Sequence, residues 1–301
     1  MAVRQGEAGI FPIEPIRALQ QRPWWQRVWV LQEIALAKQV VICCGNKALP
    51  FSQFAHGMIL MRVYHDHVRR KNDDPDPNVK VSEQESPILK ANIDNRPSKM
   101  LHIRNKFDKM RIKGSLHSLL IQSCILNTKA DSTLKATDPR DMIYGFLGLV
   151  TDENKGLIAP DYSKPCADVY RLAAQVLIKS GGIAILSFCQ FPKTQPGLPS
   201  WVPDWSVPLK LPLEHVTKFE TYDKRFSAAK DTEASFTFRD ESEKNLYILS
   251  VSGVLVDTVS ELGETLTETE DPTEKLKSAL QWLKALKQLS DSSTPIVTQK
   301  L

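Results

Sequence analysis

The chain has 301 residues, 42% of them hydrophobic and 25% charged, which is ordinary for a globular protein and enough for one large or two modest domains. Its five cysteines show no CxxC pair and no regular spacing, which argues against a disulfide framework or a zinc site and fits a reducing cytosolic or nuclear setting. The net charge of +4 comes from a scattered basic excess in residues 1–150, without aromatic interleaving, so nucleic-acid binding is not expected. No signal peptide and no bilayer-length apolar run is present.

In chain order, residues 11–20 read as a short amphipathic segment leading into Arg22–Ala37, which holds three of the six tryptophans. Pro23 suits a first helical position, and with Trp25 at zero on a wheel of about 100° per residue, Trp24, Val28, Trp29, Leu31, Ala35 and Leu36 fill one arc. Val30, Ile34 and Ala37 lie opposite, so the expectation is one helix buried nearly all round. Gln32 falls within the arc and Glu33 at its edge, so each calls for a designated partner. Glu33 reads either as a catalytic or ligand-binding carboxylate or as half of a buried ion pair locking the helix in place. Arg140 is the partner expected for Glu33 or Asp141.

Val40–Cys44 reads as a buried strand with Cys43 and Cys44 in the core, and Gly45-Asn46 as the turn to a second strand at Lys47–Leu49. Ser52 is the expected N-cap of a helix reaching about Val63. His65-Asp66-His67 is too few ligands for a metal and reads as a solvated helix end. The stretch between Arg69 and Lys99, with few large apolar residues and several prolines, reads as a flexible insertion. Two helices follow, about Ser98–Met110 and Ser115–Leu126, in which His102 and His117 stand alone as core or surface residues.

In Thr137-Asp138-Pro139-Arg140-Asp141, Thr137 or Asp138 is the expected cap of a helix burying Met142, Ile143, Phe146 and Leu147. Gly145 suits close approach of a neighbour and Gly148 the helix end. Pro160-Asp161-Tyr162-Ser163 is an extended connection whose Ser163 can cap an amphipathic helix that Gly181-Gly182 stops. Ile183–Phe188 reads as a second buried strand. Leu198–Ser206 is too rich in proline for a regular element, and its Trp201 and Trp205 imply a loop folded over the core, with an aromatic ligand platform as the rival reading. Phe236–Phe238 and Leu246–Val256 suggest a β-hairpin, residues 257–274 a solvated acidic connector, and Thr273–Leu289 an amphipathic helix with a leucine stripe. No GxSxG elbow, HExxH, P-loop, kinase signature or Rossmann fingerprint is present.

Arg22-Pro23-Trp24-Trp25 with Arg27, Trp29, Gln32-Glu33 and Cys44-Gly45 resembles the last block of the fungal heterokaryon incompatibility (HET) domain. Thr137-Asp138-Pro139-Arg140-Asp141 with Tyr144 and Leu147-Gly148-Leu149, then Pro160–Ser163 and Leu198–Trp205, resembles the segment that follows that domain. The resemblance covers roughly residues 15–50 and 135–206 and marks Trp25, Arg27, Trp29, Gln32, Asp138, Arg140, Asp141, Trp201, Asp204 and Trp205 as signature positions. It implies a cytoplasmic fungal protein of non-self recognition and associated cell death, acting as an interaction and signalling module through protein partners or self-association. The HET domain is similar to Toll/interleukin-receptor domains, some of which hydrolyse NAD with a glutamate. The alternatives are therefore an NAD-hydrolysing enzyme with Glu33 catalytic, or an inactive fragment. No cofactor is implied, and NAD enters only as a substrate.

The family's early Trp-Gly and Cys-Ile-Asn-Gln blocks do not occur, so the resemblance implies an N-terminally truncated domain or a partial gene model. The expected fold is mixed α/β and helix-rich. Its expected parts are the HET-like end at 1–68, the insertion at 69–98, a helical region at 99–212, and a hairpin with a helix at 213–301.

Overall fold

Pro23 opens a helical turn but not the long helix expected. Pro23–Gln26 is a 3-10 turn, Arg27 is extended (φ −77°, ψ 128°), and helix α2 runs only from Val28 to Leu36. The break has a tertiary cause. The Val28 N–H donates to the Lys135 carbonyl at 3.0 Å, and Arg27 and Lys135 form a parallel bridge that a continuous helix would forbid. The break also resets the helical phase. Val28, Val30, Leu31, Ile34 and Ala35 are buried, whereas Glu33 and Leu36 face outward beside a half-buried Trp29. Glu33 is thus exposed and needs no buried partner, contrary to the expectation from a single wheel.

The computed structural model describes residues 13–74, 76, 78–83, 85–86, 96–109, 115–124, 133–151, 153–210, 235–241, 246–253 and separate residues of a helix between 273 and 284. By contacts the chain divides into two units, Met1–Val251 and Ser252–Leu301. In the second, described residues between 273 and 284 are helical, with Leu276, Leu280 and Leu283 exposed. The acidic connector at 257–272 lies outside the described residues.

In the first unit, α1 (Ile13–Gln20) precedes the 3-10 turn and α2, and the hairpin of β1 (Val41–Cys44) and β2 (Lys47–Pro50) follows. Gly45 supplies the left-handed conformation of its two-residue turn, at φ 60°. The strand is where expected, but Val41, Cys43 and Cys44 are exposed, because β2 covers only one edge and no second sheet layer lies over it among the described residues. Helix α3 (Phe51–Asn72) starts directly after Pro50, so Ser52 lies inside it and does not cap it. It runs past Val63 to a basic last turn, Arg69-Arg70-Lys71, that suits the helix dipole, and Lys71 pairs with the Glu85 carboxylate at 2.9 Å.

Among the described residues, helices α4 (Arg96–Lys109), α5 (Leu116–Cys124), α6 (Asp141–Leu147) and α7 (Cys166–Lys179) follow. Helix α2 packs between α4 and α6. Its approach to α6 depends on glycine: a Cβ on Gly145 would stand 3.1 Å from a Val28 methyl, and one on Gly148 2.7 Å from the Gln32 side chain. Gln32, expected to need a partner, lies half-buried over Gly148.

Ile183–Phe188 is a 3-10 helix and not a strand. Among the described residues no strand lies alongside to pair with it, and the three-residue period puts Ile185 and Phe188, both buried, on one face. Strands β3 (Phe236–Glu241) and β4 (Leu246–Val251) form the expected second hairpin, with β4 ending at Val251 and not Val256. The fold is mixed α/β and helix-rich, with two separate antiparallel hairpins among the described residues. No helix of the described residues is long and apolar enough to cross a membrane.

Arg104 closes α2 from α4. One guanidinium nitrogen donates to the Ile34 carbonyl and, at 2.8 Å, to the Ala37 carbonyl, while the group lies 5.5 Å over the Phe51 ring. These carbonyls are the ones a helix end leaves unbonded. Arg104→Ala is expected to cost about 1.5–3 kcal/mol, read as a lower denaturation midpoint at unchanged slope.

Candidate functional site

The signature blocks meet on one strap, residues 133–141. Its first half hydrogen-bonds both neighbouring segments: Lys135 pairs with Arg27, and the Leu134 N–H donates to the Ser123 carbonyl at 3.4 Å. Its second half is a turn built on Asp138. One Asp138 oxygen accepts the Arg140 backbone N–H at 3.0 Å, and both oxygens take the Arg140 guanidinium, at 2.9 Å from Nε and 2.6 Å from Nη2. The expected partnership of Arg140 with Glu33 or Asp141 is therefore replaced by a local one. Asp138 stands two residues away across a tight turn, and α6 begins only at Asp141 with Arg140 as its N-cap, so neither Thr137 nor Asp138 caps it as expected.

Arg140 also reaches across the chain. Nη1 donates to the carbonyls of Tyr162, at 2.5 Å, and Lys164, at 2.8 Å, and the guanidinium lies 5.2 Å from the centre of the Tyr162 ring. The Tyr162 hydroxyl donates to Asp141 at 2.6 Å. Tyr144 exchanges hydrogen bonds with the Asp161 backbone, donating to its carbonyl at 3.0 Å and accepting its N–H at 3.1 Å. Two segments about twenty residues apart are thereby clasped by one arginine and two tyrosines.

The proline–tryptophan loop closes the other side. Trp205, buried, meets the Tyr170 ring edge-on at 5.2 Å, and the Tyr170 hydroxyl donates to the Pro139 carbonyl at 2.7 Å. Asp204, 2% exposed, accepts five hydrogen bonds. They come from the backbone N–H groups of Thr194, Gln195 and Ser206 and from the hydroxyls of Thr194 and Ser206, at 2.5–3.2 Å. Trp201 is half-buried. Its indole N–H donates to the Tyr247 carbonyl at 2.9 Å and its ring lies against Phe238, so the loop also seats the second hairpin. The expectation of a loop folded over the core holds.

Clefts flank the strap. One of about 250 Å³ lies between it and the first tryptophan block, lined by Pro23, Arg27, Trp29, Lys135, Thr137 and Asp141. Another of about 360 Å³ opens on the far side, lined by Cys124, Thr133, Pro139, Met142, Trp205 and Pro208. Trp25 and Glu33 stand apart from both. Trp25 stacks on Phe54 at 5.2 Å and donates from its indole nitrogen to the Leu19 carbonyl at 2.9 Å. Sequence reasoning missed the Asp138–Arg140 pair and Arg104, because the first depends on a turn geometry and the second on a contact spanning 67 residues.

The electrostatics are those of a fastening. Hydrogen bonds from Arg140 hold the Asp138 carboxyl below its usual range against the opposing effect of burial, and hydrogen bonds from Ser163 do the same for Asp161. The Asp141 hydrogen bond, with burial, pushes Tyr162 up to about 12, and burial pushes the Cys166 thiol up to about 11. Both hydroxyl and thiol are therefore protonated near neutral pH, and neither is a ready nucleophile. No group of three or more His, Cys, Asp and Glu side chains placed to hold a metal occurs among the described residues.

A carboxylate whose folded pKa is lowered contributes stability above its unfolded pKa, about 4, and that contribution is lost as the pH falls through the lower folded value. Thermal unfolding of the parent should therefore lose midpoint more steeply below about pH 4 than that of Asp138→Asn, which lacks the titrating group.

The chain is similar to heterokaryon incompatibility protein 6, OR allele, of Neurospora crassa, with 27% identity over 203 residues. The match covers 62% of this chain and 28% of that protein, so the chain spans little more than a quarter of the relative's length. No protein-family profile and no solved structure matches the chain.

Proposed function

We propose that this chain is a HET-type protein of fungal non-self recognition, acting in the cytoplasm as an interaction and signalling module in the cell death that follows incompatible fusion. The name of the Neurospora relative supports the recognition role. The observation that carries the module reading is the convergence of the signature blocks on the strap at 133–141, through the Arg27–Lys135 bridge and the Asp138–Arg140, Tyr162–Asp141 and Tyr170–Pro139 contacts. The groups that gather there clasp backbone, and the Cys166 thiol and the Tyr162 and Tyr170 phenols stay protonated. Such an arrangement makes a rigid surface and leaves the clefts of either side to partners.

The test is expression of the full chain in a fungal host, with viability scored after fusion of expressing and non-expressing strains. The proposal expects death of the fused cells, and survival equal to the empty-vector control would overturn it. A parallel measurement addresses the NAD-hydrolysing alternative. Glu33 is exposed and lines neither cleft, so purified parent and Glu33→Ala should differ by no more than about 0.5 kcal/mol in stability. Nicotinamide release by the parent that disappears in Glu33→Ala would instead establish the enzyme.

A further inference from the structure

Strand β1 is apolar throughout, Val41-Ile42-Cys43-Cys44, and carries no charge, glycine or proline. Its register with β2 fixes where its backbone points. The Phe51 N–H donates to the Val40 carbonyl at 3.0 Å, and pairs alternate from there along Val41–Pro50, Ile42–Leu49, Cys43–Ala48 and Cys44–Lys47. Alternation makes the Val40, Ile42 and Cys44 pairs the hydrogen-bonded ones, so the N–H and C=O groups of Val41 and Cys43 face the outer edge. Among the described residues no strand pairs with that edge.

The two edges of the hairpin differ. On β2 the outward positions are Ala48 and Pro50, which has no N–H; proline is a usual means of blunting an edge. On β1 nothing blunts it. Beside it lies a groove of about 500 Å³ lined by Leu19, Arg22, Trp24 and the strand itself, with Trp24 37% and Val41 56% exposed.

Charge indicates the occupant. Arg22 lines the groove, the exposed Lys38 and Lys47 stand three residues before and three residues after the strand, and no acidic residue occurs from Ile34 to His65. A second copy of the chain is disfavoured. The antiparallel register that sets Val41 opposite Cys43 also brings Lys38 within one residue of Lys47 at each end. We infer that the outer edge of β1 receives, as an added antiparallel or parallel strand, an extended segment of another protein with apolar residues at alternate positions and carboxylates at its flanks. Backbone bonds to Val41 and Cys43 supply the pairing, the Trp24 groove takes the apolar side chains, and Arg22, Lys38 and Lys47 meet the carboxylates. The inference concerns the first hairpin alone and does not depend on the function proposed above.

The test uses the full chain and the synthetic peptide Glu-Glu-Val-Thr-Val-Thr-Val-Glu-Glu, with a lysine-flanked version and one whose central Val is replaced by Pro. Hydrogen exchange is read at the Val41 and Cys43 amides and binding from the change in total tryptophan fluorescence. The expected result is slowed exchange at both amides with the acidic peptide. The lysine-flanked peptide should bind about tenfold more weakly, the effect of two or three partly exposed ion pairs, and the proline peptide should give no protection. Cys43→Pro removes one outward N–H without touching a hairpin bond and should abolish binding, while Arg22→Glu, which leaves the strand unaltered, should remove the preference for acidic flanks. Unslowed exchange at both amides, equal affinity for both flanks, or protection without peptide in a concentration-dependent dimer would each overturn the inference, the last in favour of a second copy.

Discussion

Asp204→Ala is expected to destabilise the protein by about 3 kcal/mol or more, since it leaves several buried donors without an acceptor at about 1–3 kcal/mol each before relaxation. All five partners donate: three backbone N–H groups and two hydroxyls. Burial raises the pKa of this carboxyl, but the bonds from Ser206 and Thr194 outweigh it and leave the group below its ordinary range. Asp204→Asn is the sharper test. It keeps the shape but turns an NH₂ towards N–H donors on one side, so it should recover only a minor part of the loss. Thermal unfolding reads the difference, at about 2–4 °C per kcal/mol for a protein of this size. Full recovery by Asn would show that shape and not acceptor count matters here. The Trp201–Tyr247 hydrogen bond adds a second readout, because loosening the loop should speed amide exchange in β3 and β4.

Trp25→Ala should have a comparable effect, about 3–5 kcal/mol, from the loss of a large, fully enclosed side chain. Trp25 is 1% exposed, lies nearly parallel to Phe54 (interplanar angle 15°) and meets Trp24 edge-on at 4.7 Å. Trp25→Phe keeps the stack and loses only the bond to the Leu19 carbonyl together with part of the volume. Its cost should be about 1–2 kcal/mol, and the order Ala worse than Phe is checked by denaturant midpoints at equal slope. Equal losses would mean that the indole hydrogen bond, and not ring burial, holds α1 to the turn.

Much of this fold is readable from residue order. The hairpin at Gly45-Asn46, the helices near 96–109, 116–124 and 166–179, the close approach at Gly145 and the folded-over tryptophan loop all follow from local periodicity, turn chemistry and side-chain size, which act within a few residues. The signature positions were also visible as motifs, although their roles were not.

Tertiary contact decided the rest. Arg22–Ala37 has the composition of one buried helix, yet Lys135, more than a hundred positions away, takes the Val28 N–H and breaks it at Arg27. That single bond shifts the wheel and turns Glu33 outward. Ile183–Phe188 has the composition of a strand, yet it coils, since a strand needs a neighbour to bond its edge and the described residues offer none there. Arg140 takes Asp138 because the turn before α6 brings that carboxylate within reach first. Composition and periodicity determine which surfaces must be buried. Which partner buries them depends on backbone hydrogen bonds made across the chain, and those are set only once the elements have met.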